Sequence, residues 1–214
     1  MIVRPSARVR VKICGITNRE DAEAAIAAGA DALGFNLFPG SKRGLALDEH
    51  AGWIAGLPPF VTKVAVLVNA PLAEALRVAQ HPAIDLVQLH GNEDADYCAA
   101  LAKTGRPFIK ALRLRDAAEI AGAAQFSTPH LLIDAHVEGE FGGTGTALDL
   151  DLAAAFVRRH PGRQVLLAGG LTPENVGAAV RAVQPFAVDV AGGVETEPRR
   201  KDATKMRAFI LAAR

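Results

Sequence analysis

The chain has 214 residues and a formal net charge of +1, with 24 lysines and arginines against 23 aspartates and glutamates. Half of the residues are hydrophobic, enough for one domain with a large core, and no basic excess favours a nucleic-acid partner. Apolar runs stay short of membrane-spanning length, Arg4, Arg8, Arg10 and Lys12 interrupt any leader-like stretch, and two cysteines, Cys14 and Cys98, are too few for a secreted disulfide scaffold; a reducing cytoplasm is expected.

Short β-rich runs alternate with alanine-rich helical stretches along the whole chain. The pattern predicts a strand over Val9–Cys14, a helix over Arg19–Ala28 capped by Thr17 or Asn18, a strand over Ala32–Asn36 and a helix over Leu47–Ala55. A third strand is predicted over Val61–Val68, with Pro71 opening the next helix, and a fourth over Leu86–Leu89, with a helix over Glu93–Lys103. A fifth strand, Phe108–Leu112, precedes a helix over Asp116–Ala121, and a sixth, Leu131–Asp134, precedes a long glycine-rich loop and a helix near Leu152–Arg159. The seventh and eighth strands, Val165–Ala168 and Ala187–Val190, are followed by a helix that begins near Pro173 and a final one over Asp202–Ala212.

Eight such βα units fill residues 1–214 without a linker, which favours a single closed (β/α)8 TIM barrel over a doubly wound open sheet. A barrel of this kind keeps its chemistry at the C-terminal ends of its strands, so polar residues there become candidates. The strongest feature is a repeated one: the seventh strand runs into Gly169-Gly170 and the eighth into Gly192-Gly193. Glycine lets backbone N–H groups approach an anion closely, so the two pairs at one end of one sheet point to a phosphate-bearing small molecule.

Cys14 closes the first strand, with Lys12 on the same side of it; an ammonium nearby favours thiolate, the form that removes a proton from carbon, whereas a lone cysteine is otherwise a buried, inert side chain. Asp134 closes the sixth strand, either capping backbone N–H groups or acting as a general acid whose pKa rises on burial. Arg43, in the loop after the second strand, carries a planar fork suited to a carboxylate or phosphate, or else is simply solvated. Gly143, within Gly142-Gly143-Thr144-Gly145, belongs to a second candidate anion nest or to a plain flexible loop. Gln88 and His90 share a side at the end of the fourth strand, where His90 is either a base or a packed turn residue, and Asp189 takes a structural or supporting role. No HExxH or CxxC spacing and no GxGxxG fingerprint occurs, so neither a metal nor a dinucleotide cofactor is implied.

Taken in order, Lys12-Ile13-Cys14-Gly15-Ile16-Thr17, Leu33-Gly34-Phe35, Ser41-Lys42-Arg43, Val87-Gln88-Leu89-His90-Gly91, Asp134 with the following Gly142–Gly145 run, Leu167–Val176 and Val188-Asp189-Val190 with Gly193-Val194-Glu195 and Lys201-Asp202 resemble the phosphoribosylanthranilate isomerase family of tryptophan biosynthesis. The resemblance implies an Amadori rearrangement of N-(5-phosphoribosyl)anthranilate to the 1-deoxyribulose 5-phosphate form, with no cofactor. It implies Cys14 as general base, Asp134 as general acid, Arg43 on the anthranilate carboxylate, and backbone groups near Gly169-Gly170 and Gly192-Gly193 on the phosphate. The partner is then a small phosphosugar, with no nucleic acid and no membrane, and the chain acts as a monomer or homodimer. Three positions depart from the family pattern: Gly44 stands where a large residue is common, Ala191-Gly192-Gly193 where Ser-Ser-Gly is common, and Leu148-Asp149-Leu150 where Phe-Asp-Trp is common. Two other phosphate-binding barrels compete: a histidine-pathway isomerase, which would resemble a two-carboxylate solution, and indole-glycerol-phosphate synthase, for which Lys110 alone is weak support. Cys14 argues against the first, and the joint presence of Cys14, Asp134 and Arg43 argues against a barrel kept only for binding.

Overall fold

The computed structural model describes residues 8–114, 116–134 and 149–214. Eight parallel strands close into one barrel: β1 (Arg10–Cys14), β2 (Ala32–Asn36), β3 (Thr62–Leu67), β4 (Leu86–Leu89), β5 (Phe108–Arg113), β6 (His130–Asp134), β7 (Gln164–Leu167) and β8 (Ala187–Val190), with β8 pairing back onto β1. The helices between and after them are α1 (Arg19–Ala28), α2 (Leu47–Ala55), α3 (Leu72–Ala79), α4 (Ala95–Ala102), α5 (Ala117–Gly122), α6 (Leu150–Arg159), α7 (Val176–Val183) and α8 (Ala203–Ala212).

The barrel arises from runs that are buried on both faces, as parallel strands covered by helices must be. Most of the core, including Val11, Ile13, Leu33, Phe35, Leu131 and Phe156, lies between strands and helices. A second, smaller cluster is built almost wholly from strand residues, among them Val64, Ile109, Leu132, Leu166 and Ala187, with Ala32 and Leu86 packed against it; it fills the barrel interior. Side chains alternate across a strand, so the next inward positions toward the C-terminal mouth lie two residues on: Gly34 above Ala32, Gln88 above Leu86, Asp134 above Leu132 and Asp189 above Ala187. A hydrophobic floor thus supports a polar ring.

Helix starts follow local side-chain chemistry. Asn18 caps α1, its side chain accepting from the Asp21 N–H at 2.8 Å, and Asp94, Asp116, Asp149 and Asp202 do the same for α4, α5, α6 and α8. These caps also account for the shifts from the predicted boundaries. The helix expected from Glu93 begins at Ala95 because Asp94 is its cap, while Glu93 itself turns inward; the helix expected near Leu152 begins at Leu150, set by Asp149. An unanticipated hairpin, β9 (Glu195–Glu197) and β10 (Arg200–Lys201), follows β8.

The last helix, α8, closes the outer layer against α1 and α7, with Phe209 fully buried and Leu211 80% exposed on the opposite face. Phe209→Ala is expected to lower the unfolding free energy by about 3–5 kcal/mol through transfer and cavity costs, and Leu211→Ala to change it by less than about 0.5 kcal/mol. Urea denaturation of the two variants checks this; equal losses would contradict the face assignment.

Candidate active site

The mouth of the barrel begins at β1. Lys12, inside the barrel and 2% exposed, donates from Nζ to Asp189 Oδ1 at 2.8 Å, and the two residues are register partners where β1 meets β8. Cys14 stands two residues further on and is partly exposed. A Cβ placed on Gly34 of β2 would lie 2.7 Å from Cys14 Sγ and 2.9 Å from Lys12 Nζ, so the missing side chain at residue 34 is what makes room for thiol and ammonium together. Burial opposes the charge on Lys12, yet Asp189 and the hydrogen-bonded Cys14 outweigh it and hold the ammonium above its usual range. Burial pushes the Cys14 thiol up from 9.0 and prevails over the opposing pull of Lys12 and Lys201. Lys12 does pull toward thiolate, as its place on the strand led us to expect, but burial is the larger effect in the ligand-free site.

Arg43 reaches the same spot from the loop after β2. Its Cδ would be 2.4 Å from a Cβ on Gly15, and Gly15 has φ 74°, so glycine after Cys14 serves both the turn and the passage of the arginine stem. The guanidinium forms a forked pair with Glu195, Nε to Oε1 at 2.8 Å and Nη2 to Oε2 at 2.6 Å, leaving Nη1 outside the pair. Lys201 Nζ donates to Glu195 Oε1 at 2.8 Å and to the Ala191 carbonyl at 3.0 Å. Although burial opposes ionisation, Arg43 and Lys201 together hold the Glu195 carboxyl below its usual range. Lys12, Lys201 and Arg43 thus surround Cys14 with three cations against the carboxylates of Asp189 and Glu195, an excess of one positive charge that favours an anionic guest.

The two glycine pairs meet. Gly169 and Gly170 follow β7 with φ 92° and 62°, and among the described residues neither N–H is taken by a backbone carbonyl. Gly193 lies against the same loop: a Cβ there would be 2.0 Å from the Leu171 carbonyl oxygen. Gly192 opens a single 3-10 turn, Gly192–Val194, and its missing side chain faces Arg43 Nη2. Two successive left-handed glycines whose N–H groups no backbone carbonyl takes, next to the Gly192-Gly193 turn, leave backbone donors that suit an anion.

Asp134 ends β6, 7% exposed, on the side of the mouth away from β1. His90 Nε2 lies 3.2 Å from Asp134 Oδ2, and His90 Nδ1 lies 2.7 Å from Gln88 Nε2. The turn that carries His90 is held by Glu93, whose carboxylate accepts from the N–H groups of Asn69 and Gly91 and pairs with Lys110 at 2.7 Å.

Cys14, Arg43, Asp134 and both glycine pairs therefore converge on one mouth, whereas Gly143 lies outside the described residues. Glu195, Lys201 and Glu93 were not anticipated as part of it. The Gly193-Val194-Glu195 and Lys201-Asp202 matches held the first two, but which cation each carboxylate meets depends on packing across the barrel. Among the described residues no group of three His, Cys, Asp or Glu is arranged to hold a metal ion.

The family model for N-(5'phosphoribosyl)anthranilate (PRA) isomerase matches residues 11–212. The N-(5'-phosphoribosyl)anthranilate isomerase of Geobacter metallireducens is 48% identical over 206 residues, 96% of this chain and 99% of that protein. The crystal structure of phosphoribosyl anthranilate isomerase from Thermotoga maritima superposes with a TM-score of 0.86 at 39% identity, covering 96% of this chain and 98% of that one. A further structure of such an isomerase, in complex with reduced 1-(o-carboxyphenylamino)-1-deoxyribulose 5-phosphate, gives a TM-score of 0.83 at 38% identity, covering 96% of this chain and 98% of that one.

The raised Cys14 pKa has a measurable consequence. Thiolate, the species that alkylates, is scarcer at any given pH when the pKa is raised, so the rate of Cys14 modification by iodoacetamide in the ligand-free protein is expected to keep climbing through pH 9.0, the thiol's ordinary pKa. Peptide mass spectrometry separates Cys14 from Cys98, and a Cys14 rate that levels off below about pH 8 would mean that Lys12, not burial, governs the thiol.

Proposed function

The chain belongs to the N-(5'-phosphoribosyl)anthranilate isomerase family, and we propose that within it Cys14 and Asp134 divide the proton transfers of the isomerisation between two sides of the barrel mouth. The reaction is that of an aldose–ketose isomerase of tryptophan biosynthesis, an Amadori rearrangement of N-(5-phosphoribosyl)anthranilate to 1-(2-carboxyphenylamino)-1-deoxyribulose 5-phosphate. The observation that carries the assignment of roles is the pairing of a thiol packed against a charged Lys12 with a carboxyl that ends β6 beside His90.

Asp134 gives a proton to the ribose ring oxygen as the bond from C1 to that oxygen breaks, and the anilino nitrogen lone pair closes the C1–N iminium. Cys14 then removes the C2 proton; the electron pair of that bond becomes the C1–C2 double bond and the iminium electrons return to nitrogen. Loss of the C2 hydroxyl proton and gain of one at C1 complete the ketone. The thiol first gives its proton to solvent, a loss that Lys12 and the iminium cation formed beside it favour, and the resulting thiolate is the base that takes the C2 proton. One turnover thus restores the Cys14 thiol and leaves Asp134 one proton poorer, and solvent resets the acid.

Binding divides between two ends. The N–H groups around Gly169-Gly170 and Gly192-Gly193 suit the phosphate, and they do so without the hydroxyls absent from Ala191-Gly192-Gly193. Arg43 suits the anthranilate carboxylate: Glu195 engages Nε and Nη2, which orients the fork and leaves Nη1 for the substrate. Fixing both ends sets the ribose between acid and base. Action as a monomer or homodimer belongs to this reading, and a base that must remain a free thiol suits a reducing cytoplasm.

Consumption of freshly formed N-(5-phosphoribosyl)anthranilate, followed by loss of its fluorescence, tests the roles. Cys14→Ala and Asp134→Asn are each expected to lower kcat by roughly two to four orders of magnitude while a product analogue still binds. Near-normal kcat in either variant removes that residue from its role. Arg43→Ala is expected instead to raise KM about 10- to 100-fold, the loss of one charge-assisted contact, and an unchanged KM would free Arg43 from the carboxylate.

A further inference from the structure

Gln88 belongs to none of the steps above, yet it is fully buried at the mouth, 0% exposed, where the polar ring borders the acid. Its amide meets His90 Nδ1 at 2.7 Å, and His90 Nε2 meets Asp134 Oδ2 at 3.2 Å, so three side chains on β4, the turn after it and β6 form one line. The other amide atom, Oε1, is buried and has no hydrogen-bond partner among the described residues. A buried amide with one end unpaired is an exception to the usual satisfaction of polar groups.

We propose that Gln88 and His90 act as a positioning pair that supports Asp134 in both of its protonation states, by a coupled turn of the amide and change of imidazole tautomer. This rests on Asp134 being the general acid. In the first arrangement Gln88 Nε2 donates to His90 Nδ1, the ring proton sits on Nε2, and Nε2–H donates to the Asp134 carboxylate. In the second the amide has turned over, Oε1 accepts from Nδ1–H, and the unprotonated Nε2 accepts from the Asp134 carboxylic acid. Passing from first to second adds one proton in total. It arrives at Nδ1 as the amide turns, and the Nε2 proton moves to Asp134 Oδ2; the ring still carries one proton and no other bond changes. That is the proton Asp134 must regain after each turnover.

Either arrangement leaves one amide atom of Gln88 without a partner in the same buried place, so neither is locked in by a fully paired amide. A partner for Oε1 would lock one tautomer and with it one protonation state. The backbone is held fixed around this pair: Gly91, next to His90, donates to Glu93, which is itself pinned to Lys110. Among the described residues, the charged groups that share the cavity beside His90 and Asp134 are Arg113 and Lys110 on β5, Glu93 and Asp94 after β4, and Asp116 and Glu119 at the start of α5.

The test is the tautomer itself. With nitrogen-15 in the histidine rings, the two ring nitrogens of His90, assigned among the six histidines by their loss in His90→Asn, are followed by NMR in the wild-type protein as pH falls. The expected result is a shift of the ring proton from Nε2 to Nδ1 as the first proton is taken up. Formation of an imidazolium at that step, or one tautomer throughout, overturns the proposal, and this reading is made on the wild-type protein without any measurement of activity. In Gln88→Met, which cannot accept from Nδ1–H, the Nδ1–H form is expected to disappear and kcat to fall about tenfold or more with KM within about threefold. In Gln88→Glu, which accepts only, Nδ1–H is expected to persist and kcat to stay above that of Gln88→Met. Wild-type kcat in Gln88→Met also overturns the pair. Failure of the acid assignment is read separately, from Asp134→Asn.

Discussion

A buried ammonium and a buried carboxylate meet where the barrel closes on itself, and most of the active site is arranged around them. Lys12 and Asp189 face each other across β1 and β8 at 2.8 Å, with side-chain exposures of 2% and 8%. Removing two charges from water costs several kcal/mol each, recovered only when geometry and further hydrogen bonds are good, and removing one partner leaves the other uncompensated. Such a pair is poor value as a means of stabilisation alone. Its use here is positional: it holds a cation beside the Cys14 sulfur, where the missing side chain of Gly34 leaves room for both.

From that pair the contacts run outward in one direction. Cys14 is followed by Gly15, Gly15 gives passage to the stem of Arg43, Arg43 is forked onto Glu195, and Glu195 is held by Lys201, which also grips the Ala191 carbonyl at the start of the loop after β8. The groups assigned to base, carboxylate and phosphate are therefore joined by direct contact. This explains how a loop carrying Ala191-Gly192-Gly193 keeps its shape without serine hydroxyls: Lys201 fixes it from beneath, and Gly193 packs against the Leu171 carbonyl.

The acid side repeats the device with different residues. Glu93 and Lys110 form a second buried pair, 2.7 Å apart, and Glu93 also accepts from the backbone N–H groups of Asn69 and Gly91. Three successive strands, β3 to β5, are tied at one carboxylate, through the turns after β3 and β4 and through Lys110 within β5, and Asn69 is held there at φ 50°, a left-handed conformation that asparagine tolerates better than most residues. Each half of the barrel thus carries one buried ion pair, Lys12–Asp189 near Cys14 and Lys110–Glu93 at the turn that carries His90.

Much of this was legible in the order of the residues. Eight alternations of β-rich and helical runs, each with a cap or turn signal, specify a closed parallel barrel, and five element boundaries, such as Arg19–Ala28 and Leu86–Leu89, agree to the residue because caps and periodicity are local properties. Strand-end residues were equally readable, since a barrel has one chemical face and the chain direction says which end it is. The sequence by itself therefore determined the architecture and which strand-end residues reach the mouth. Only the tertiary structure decided what each one meets there. Lys12 and Asp189 lie 177 residues apart, Arg43 and Glu195 152, and His90 and Asp134 44, and no local pattern records such pairings. The same is true of the charge on Cys14: its neighbour Lys12 was visible in the sequence, but the burial that outweighs that neighbour depends on how tightly eight strands pack around it.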